Sequence, residues 1–280
     1  MFPPPNKSVV NVQTERPALY AETPAAQQLS LKRVFISLYG YSVLYSGLLL
    51  FGLICLSWSL PAGALVRLLP KQVGARLGQW VIMAGFRSYL FMLQTTGLVK
   101  LDLNALDTLY HERSLIIVTN HPSLIDVVLI ASRLPRIVCI MKAGIWNNLL
   151  LGGGARLAGY IRNDYAVDMV RSAAAAAAQG NQLLIFPEGT RTREFPVNHF
   201  KGGCGLIAKK ARAPIQTIFI ETNSHFLGKG WPLLKNPGFP LIYRVKLGRR
   251  YAIPTEAKNF TAELEHYYRQ QAGARSLTHE

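Results

Sequence analysis

Acidic residues are scarce in this chain: 15 Asp and Glu stand against 31 Lys and Arg in 280 residues, a formal net charge of +16. A balance this basic calls for an anionic partner, whether a phosphorylated substrate, an anionic bilayer or a nucleic acid. Charge of either sign is thin, at 16% of residues, while half of the chain is hydrophobic, which points toward membrane contact. Cysteines are few. Cys55, Cys139 and Cys204 are not paired at metal-ligand spacing, which argues against a disulfide framework and a zinc site and for buried thiols in a reducing compartment. No apolar run follows Met1, so the start does not read as a signal peptide. There is no internal repeat and no nucleic-acid-binding motif, which sets nucleic acid aside as the partner.

Residues 1–31, rich in Pro, Gln, Thr and Ala, read as a mobile tail. Between Val34 and Val66 there is no charged residue. That run exceeds the roughly 20 apolar residues a bilayer-spanning helix needs. Tyr39, Tyr41, Tyr45 and Trp58 sit where interfacial anchors often lie. Lys32 and Arg33 precede the run, and Arg67, Lys71 and Arg76 follow it, so charge does not fix its orientation. A second apolar stretch, Trp80–Leu98, is interrupted by Arg87 and suits the return arm of a hairpin, or the first helix of the next domain. Residues 32–98 are therefore expected to form a membrane helix or helical hairpin, and 99–280 a catalytic domain.

From Val99 onward, β-rich runs alternate with helical ones. Strands are expected at Val99–Leu103, Leu115–Thr119, Ile137–Met141, Leu183–Phe186, Ile215–Ile220 and Ile242–Leu247. Helices are expected at Ser123–Ser132, Ile145–Leu157, Ala166–Gln179 and Gly203–Ala211, with a polar helix near Thr261–Gln271. The alternation predicts an α/β fold with a largely parallel or mixed sheet flanked by helices.

Two constellations carry chemistry. The first, Asn120-His121-Pro122-Ser123-Leu124-Ile125-Asp126, follows an expected strand, where open α/β sheets place their sites. Five residues along a continuous helix turn by roughly 140°, which would point His121 and Asp126 apart. Pro122 suits a first helical position, leaving His121 outside the helix and able to fold back toward the carboxylate. Such a pair makes a general base. The second, Phe186-Pro187-Glu188-Gly189-Thr190-Arg191-Thr192, makes a tight loop at another strand end. Arg191 offers a planar fork suited to phosphate, while Glu188 suits an acceptor hydroxyl or the positioning of Arg191.

Together the two motifs resemble the glycerolipid acyltransferase superfamily, best known for the lysophosphatidic acid acyltransferases, over about Val99 to Ile220. Pro214–Ile218 resembles the family's apolar fourth block, and Phe200-Lys201-Gly202-Gly203 its basic segment after the glutamate. Lys142 matches a lysine near the acceptor phosphate. Two stretches depart from the pattern. In Gly159–Tyr165 the expected arginine position holds Tyr165, with Arg162 three positions early, and the fourth block runs on into Glu221-Thr222-Asn223-Ser224-His225.

The resemblance implies a membrane-bound O-acyltransferase. Its acyl group would come from acyl-CoA or acyl carrier protein, with no cofactor or metal, and go to a lysophospholipid such as 1-acylglycerol-3-phosphate. His121 and Asp126 would be catalytic, and Lys142, Arg162, Glu188, Gly189, Thr190, Arg191 and Lys201 would hold substrate. No cysteine lies in a nucleophile motif, so direct transfer is expected over an acyl-enzyme. The domain would sit at a membrane, the inner one in a bacterium, facing the cytoplasm. The alternatives are another hydroxylated lipid acceptor, such as an aryl polyene lipid, and a non-catalytic anchor for anionic lipid.

Overall fold

The computed structural model describes residues 24–232 and 235–276. It opens on a helical hairpin, α1 (Pro24–Leu68) and α2 (Lys71–Thr95). The expected tail lies outside the described residues as far as residue 23, and residues 24–31 belong to α1 instead. The reason is local: Pro24 suits a helix start, and Ala25, Ala26, Gln27, Gln28 and Leu29 are strong helix formers. Among the described residues, Val34–Leu68 is the one stretch long and apolar enough to cross a membrane.

The strands are β1 (Val99–Asp102), β2 (Leu115–Thr119), β3 (Ile137–Met141), β4 (Ile161–Arg162), β5 (Gln182–Ile185), β6 (Ile215–Thr222) and β7 (Leu241–Tyr251). They form one sheet in the order β1-β7-β6-β2-β5-β3-β4. Every neighbouring pair is parallel except β6 with β7. All five residues of β2 are buried, as a central strand covered on both faces requires. In β7, Leu241, Tyr243 and Val245 face inward while Ile242 and Arg244 are exposed.

Helices α3 (Asp126–Ala131), α4 (Ala143–Trp146), α5 (Gly152–Leu157), α6 (Ala166–Ala178), α7 (Cys204–Ala211) and α8 (Ala257–Ser276) complete the fold. Leu115 and Ile117 of β2 join a core shared with α2 and α3, and Ile116 and Val118 join one shared with α6, α7 and α8. The sheet is thus covered on both faces, and each fully buried Leu or Ile contributes about 1.5–3 kcal/mol.

Two expectations need correction. The single helix expected over Ile145–Leu157 is broken into α4 and α5, where the Asn148 side chain accepts from Leu150 N at 2.8 Å in place of a helical bond. Nor does a domain boundary fall at residue 98, since the chain from Gly40 onward is one compact unit. Glycine makes this possible. Gly153 N donates to Ser59 Oγ at 2.9 Å, and a Cβ at Gly153 would overlap the Ser59 carbonyl. A Cβ at Gly78 would come within 2.6 Å of Ala158 N. Within the hairpin, Phe51 packs on Tyr89 at 4.9 Å between ring centroids, so Trp80–Leu98 belongs largely to the return arm, α2.

Candidate active site

Strand β2 ends at Thr119, and its ladder with β6 stops at Thr119↔Ile218. Asn120 continues that ladder with its side chain: Nδ2 donates to Ile220 O (2.9 Å) and Oδ1 accepts from Ile220 N (2.8 Å). The next residue, His121, is thereby launched from a fixed point at the carboxyl end of the central strand, with β6 on one side and β5, β3 and β4 on the other. This is where an open sheet leaves a crevice.

His121 Nδ1 lies 2.8 Å from Asp126 Oδ2. The two converge as expected, by a different route. The helix begins at Asp126, so Pro122 is in the extended segment before it rather than at its first position. The same Asp126 oxygen accepts the Ser123 backbone N–H at 2.8 Å, closing a tight turn that brings the carboxylate back under the imidazole. Asp126 is fully buried and the His121 side chain 14% exposed, so one partner is sealed while the other reaches solvent. A carboxylate at Nδ1 favours the tautomer with the proton on that nitrogen, which leaves the Nε2 lone pair free. The ring stacks on Phe186 with centroids 3.9 Å apart, which fixes its plane.

Glu188 sits where no acceptor hydroxyl reaches it easily: it is 1% exposed. Its Oε1 accepts from His121 N (3.0 Å) and Thr192 Oγ1 (2.8 Å), and its Oε2 from Asn198 N (2.9 Å). Thr192 N donates in turn to His121 O at 2.7 Å. The second motif therefore grips the backbone of the histidine on both sides. Gly189 has φ +64°, and a Cβ there would press to 3.0 Å from Lys201 Cδ, so the exposed Lys201 lies along the loop that Gly189 and Thr190 form.

Burial pushes the carboxyls of both Asp126 and Glu188 upward. For Asp126 the hydrogen bond and charge of His121, the Ser123 N–H and the charge of Arg191 oppose the rise. For Glu188 the Asn198, Thr192 and His121 contacts oppose it.

The remaining cations are spread out. Arg191 is half-buried beside the dyad, its Nη1 bonded to Leu227 O (2.6 Å) and Gly228 O (2.9 Å). Lys142 is exposed after β3, which β5 separates from β2. At about 4.8 Å per strand, that is roughly 10 Å along the sheet edge from His121. Arg162 is one strand further out, on β4, and pairs with Asp164. The strand ends align as expected, but Arg162 is turned toward its own loop. The roles of Asn120 and Ser123 are not legible in the sequence, because small polar residues flanking a histidine carry no signal until their partners, Ile220 and Phe226, are known. Among the described residues, no three His, Cys, Asp or Glu side chains form a metal-ligating group.

An apolar cleft lies next to the turn that carries Asp126. Its lining includes Leu48 and Leu93 of the hairpin, Ile125 of that turn, Leu227 and Phe239 of the segment between β6 and β7, and Tyr243 of β7.

Residues 100–221 match the Acyltransferase family model. A Caenorhabditis elegans protein named for 1-acyl-sn-glycerol-3-phosphate acyltransferase activity is 26% identical over 62% of this chain and 62% of its own length. The coconut (Cocos nucifera) 1-acyl-sn-glycerol-3-phosphate acyltransferase is 35% identical over 39% of this chain and 38% of its own length. The chain thus spans less than two thirds of these curated relatives. The crystal structure of the 1-acyl-sn-glycerophosphate acyltransferase PlsC from Thermotoga maritima shares the fold, with a TM-score of 0.65, 18% identity, and coverage of 90% of this chain and 98% of that one. Residues 100–221, which carry both motifs at the carboxyl edge of the sheet, are thus similar to the acyltransferase family, and the chain as a whole shares the fold of PlsC.

Proposed function

We propose that the chain is a membrane-bound O-acyltransferase that moves a fatty acyl group from acyl-CoA or acyl carrier protein to the hydroxyl of a lysophospholipid such as 1-acylglycerol-3-phosphate. The observation that carries this reading is the 2.8 Å contact between a sealed Asp126 and a His121 that reaches solvent. His121 Nε2 removes the acceptor's hydroxyl proton as the oxygen attacks the thioester carbonyl. Asp126 stabilises the imidazolium, which then protonates the departing thiolate. The apolar cleft takes the acyl chain. A non-catalytic lipid anchor would give no reason for a buried carboxylate aligned on a histidine.

Lys142 and Lys201, both exposed, are the cations best able to meet a phosphate. Transfer to lysophosphatidic acid is compared with transfer to the monoacylglycerol that lacks its phosphate. We expect the phosphorylated acceptor to have the lower KM by about ten- to a hundredfold, the worth of one charged hydrogen bond. Equal use of both would remove the phosphate site and leave a neutral hydroxylated lipid as acceptor.

Membrane attachment follows from α1. Gly47, Cys55, Ser59 and Ala62 are buried, while Leu49, Leu53 and Leu60 are more than half exposed. A helix sided in this way suits entry into one leaflet, with its outer face in the acyl region, better than a crossing surrounded by lipid. The domain would then sit on the cytoplasmic face. The wild type is expected to stay with membranes through high salt and carbonate, and the Leu49→Ser, Leu53→Ser, Leu60→Ser triple variant to be released. Retention of the triple variant would rule out that face as the anchor.

A further inference from the structure

Arg191, the fork expected to meet a phosphate, spends its Nη1 on two carbonyls of a loop far along the chain, Leu227 O at 2.6 Å and Gly228 O at 2.9 Å. The same loop is tied from the other side. Ser123 Oγ donates to Phe226 O at 2.7 Å, and Leu124 N donates to Leu227 O at 3.1 Å. Ser123 is fully buried. Three consecutive carbonyls, 226 to 228, are therefore held by the two catalytic motifs.

The loop needs holding. Leu227 has φ +55°, a left-handed conformation that a leucine keeps only when its surroundings impose it. Gly228 N turns back to His225 O at 2.8 Å, and a Cβ at Gly228 would come within 2.7 Å of that oxygen, so the turn admits only glycine. While the carbonyls face the motifs, the side chains of Phe226 and Leu227 line the apolar cleft opposite Leu48 and Leu93. Phe226 also packs edge-on against Trp231, with centroids 6.1 Å apart.

We propose that Arg191 and Ser123 are positioning residues that clamp the Phe226–Gly228 loop as one wall of the apolar cleft, and so set which acyl chains are transferred. This rests on the reading of the cleft as the acyl site. The clamp gives the departure from the family pattern after Glu221 a purpose: the segment that replaces a short apolar strand supplies the cleft's wall. It also joins chain selection to the dyad, since Ser123 gives its hydroxyl to the wall and its N–H to Asp126. Arg191 faces Asp126 as well, with His121 and Tyr243 the other titratable groups about that carboxylate.

The test is a series of saturated acyl-CoA donors of rising chain length, given to the full-length protein with a fixed acceptor. The variants are Arg191→Ala, Ser123→Ala and Leu93→Trp, the last filling the cleft from the opposite wall. The wild type discriminates between chains, and Leu93→Trp shifts the preference to shorter ones. Arg191→Ala and Ser123→Ala each flatten the preference, by about tenfold or more between best and worst donor. Arg191→Ala changes the KM of lysophosphatidic acid and of monoacylglycerol by the same factor, and moves the acid limb of the pH–rate profile upward as Asp126 loses a cationic neighbour. Ser123→Ala tests the clamp should Arg191→Ala fail to fold. An unchanged chain preference in either folded variant overturns the clamp, as does a rise confined to the KM of lysophosphatidic acid in Arg191→Ala. A preference that survives Leu93→Trp overturns the acyl-cleft reading and the clamp with it.

Discussion

His121→Ala is expected to abolish acyl transfer while leaving the fold intact. On the proposed reading the imidazole is the base, and the His121 side chain, unlike its backbone, is bonded to one group, Asp126, in the contacts described above. Asp126→Asn should be nearly as severe. An amide can hold the ring but cannot stabilise the imidazolium, and an orienting carboxylate of this kind is worth on the order of 10⁴ in rate in the serine-protease case. The stability of this second variant should move the other way. Burial pushes the carboxyl of Asp126 up, so the folded state holds that proton more tightly than the unfolded chain does. Stability from this group is then present below the unfolded carboxylate value of about 4 and declines as pH rises through the higher folded value. Activity runs opposite, appearing as Asp126 ionises. Asp126→Asn should therefore unfold no more easily than the wild type at neutral pH. A thermal scan beside a rate assay separates the two effects, and near-normal turnover in either variant would refute the general-base assignment.

Glu188→Ala is expected to cost both stability and rate. Three donors lose their acceptor at once: His121 N, Thr192 Oγ1 and Asn198 N. A buried donor left without its acceptor costs about 1–3 kcal/mol. The histidine it holds is then free to drift, and a displacement of about 1 Å costs on the order of 10² in rate. If Glu188 positions the base, kcat falls and the KM values of donor and acceptor move together. Glu188→Gln, which keeps the shape and one acceptor oxygen, should recover part of both losses. A rise in acceptor KM alone, with melting unchanged, would return Glu188 to the role of acceptor ligand.

The sequence made the sheet legible because β2 and β3 are unbroken β-branched or apolar runs, and β6 is one interrupted by Gln216 and Glu221. The two-residue β4 was not, since Ile161-Arg162 is too short to show a period. The long β7 was legible in its first half only: its far end, Gly248-Arg249-Arg250-Tyr251, is basic, and Arg250 pairs there with Glu112. At the site, the His121–Asp126 pair could be read from spacing once the histidine was placed outside a helix. The roles of Glu188 and Arg191 could not. Their residue types suit a substrate as well as a backbone, and the partners that decide between them, Asn198 and the Leu227 and Gly228 carbonyls, are brought in by tertiary structure. The docking of α5 on the hairpin was hidden for a similar reason. A Gly152-Gly153-Gly154 run inside an expected helix shows no packing face until a second backbone lies against it.

The most direct test is a single-turnover assay of purified full-length protein with labelled acyl-CoA and 1-acylglycerol-3-phosphate, run beside His121→Ala. The account predicts label passing to the acceptor with release of one free thiol per ester formed, no label retained on the protein, and no transfer by the variant. Label held covalently on the chain, or equal transfer by the wild type and His121→Ala, would contradict it.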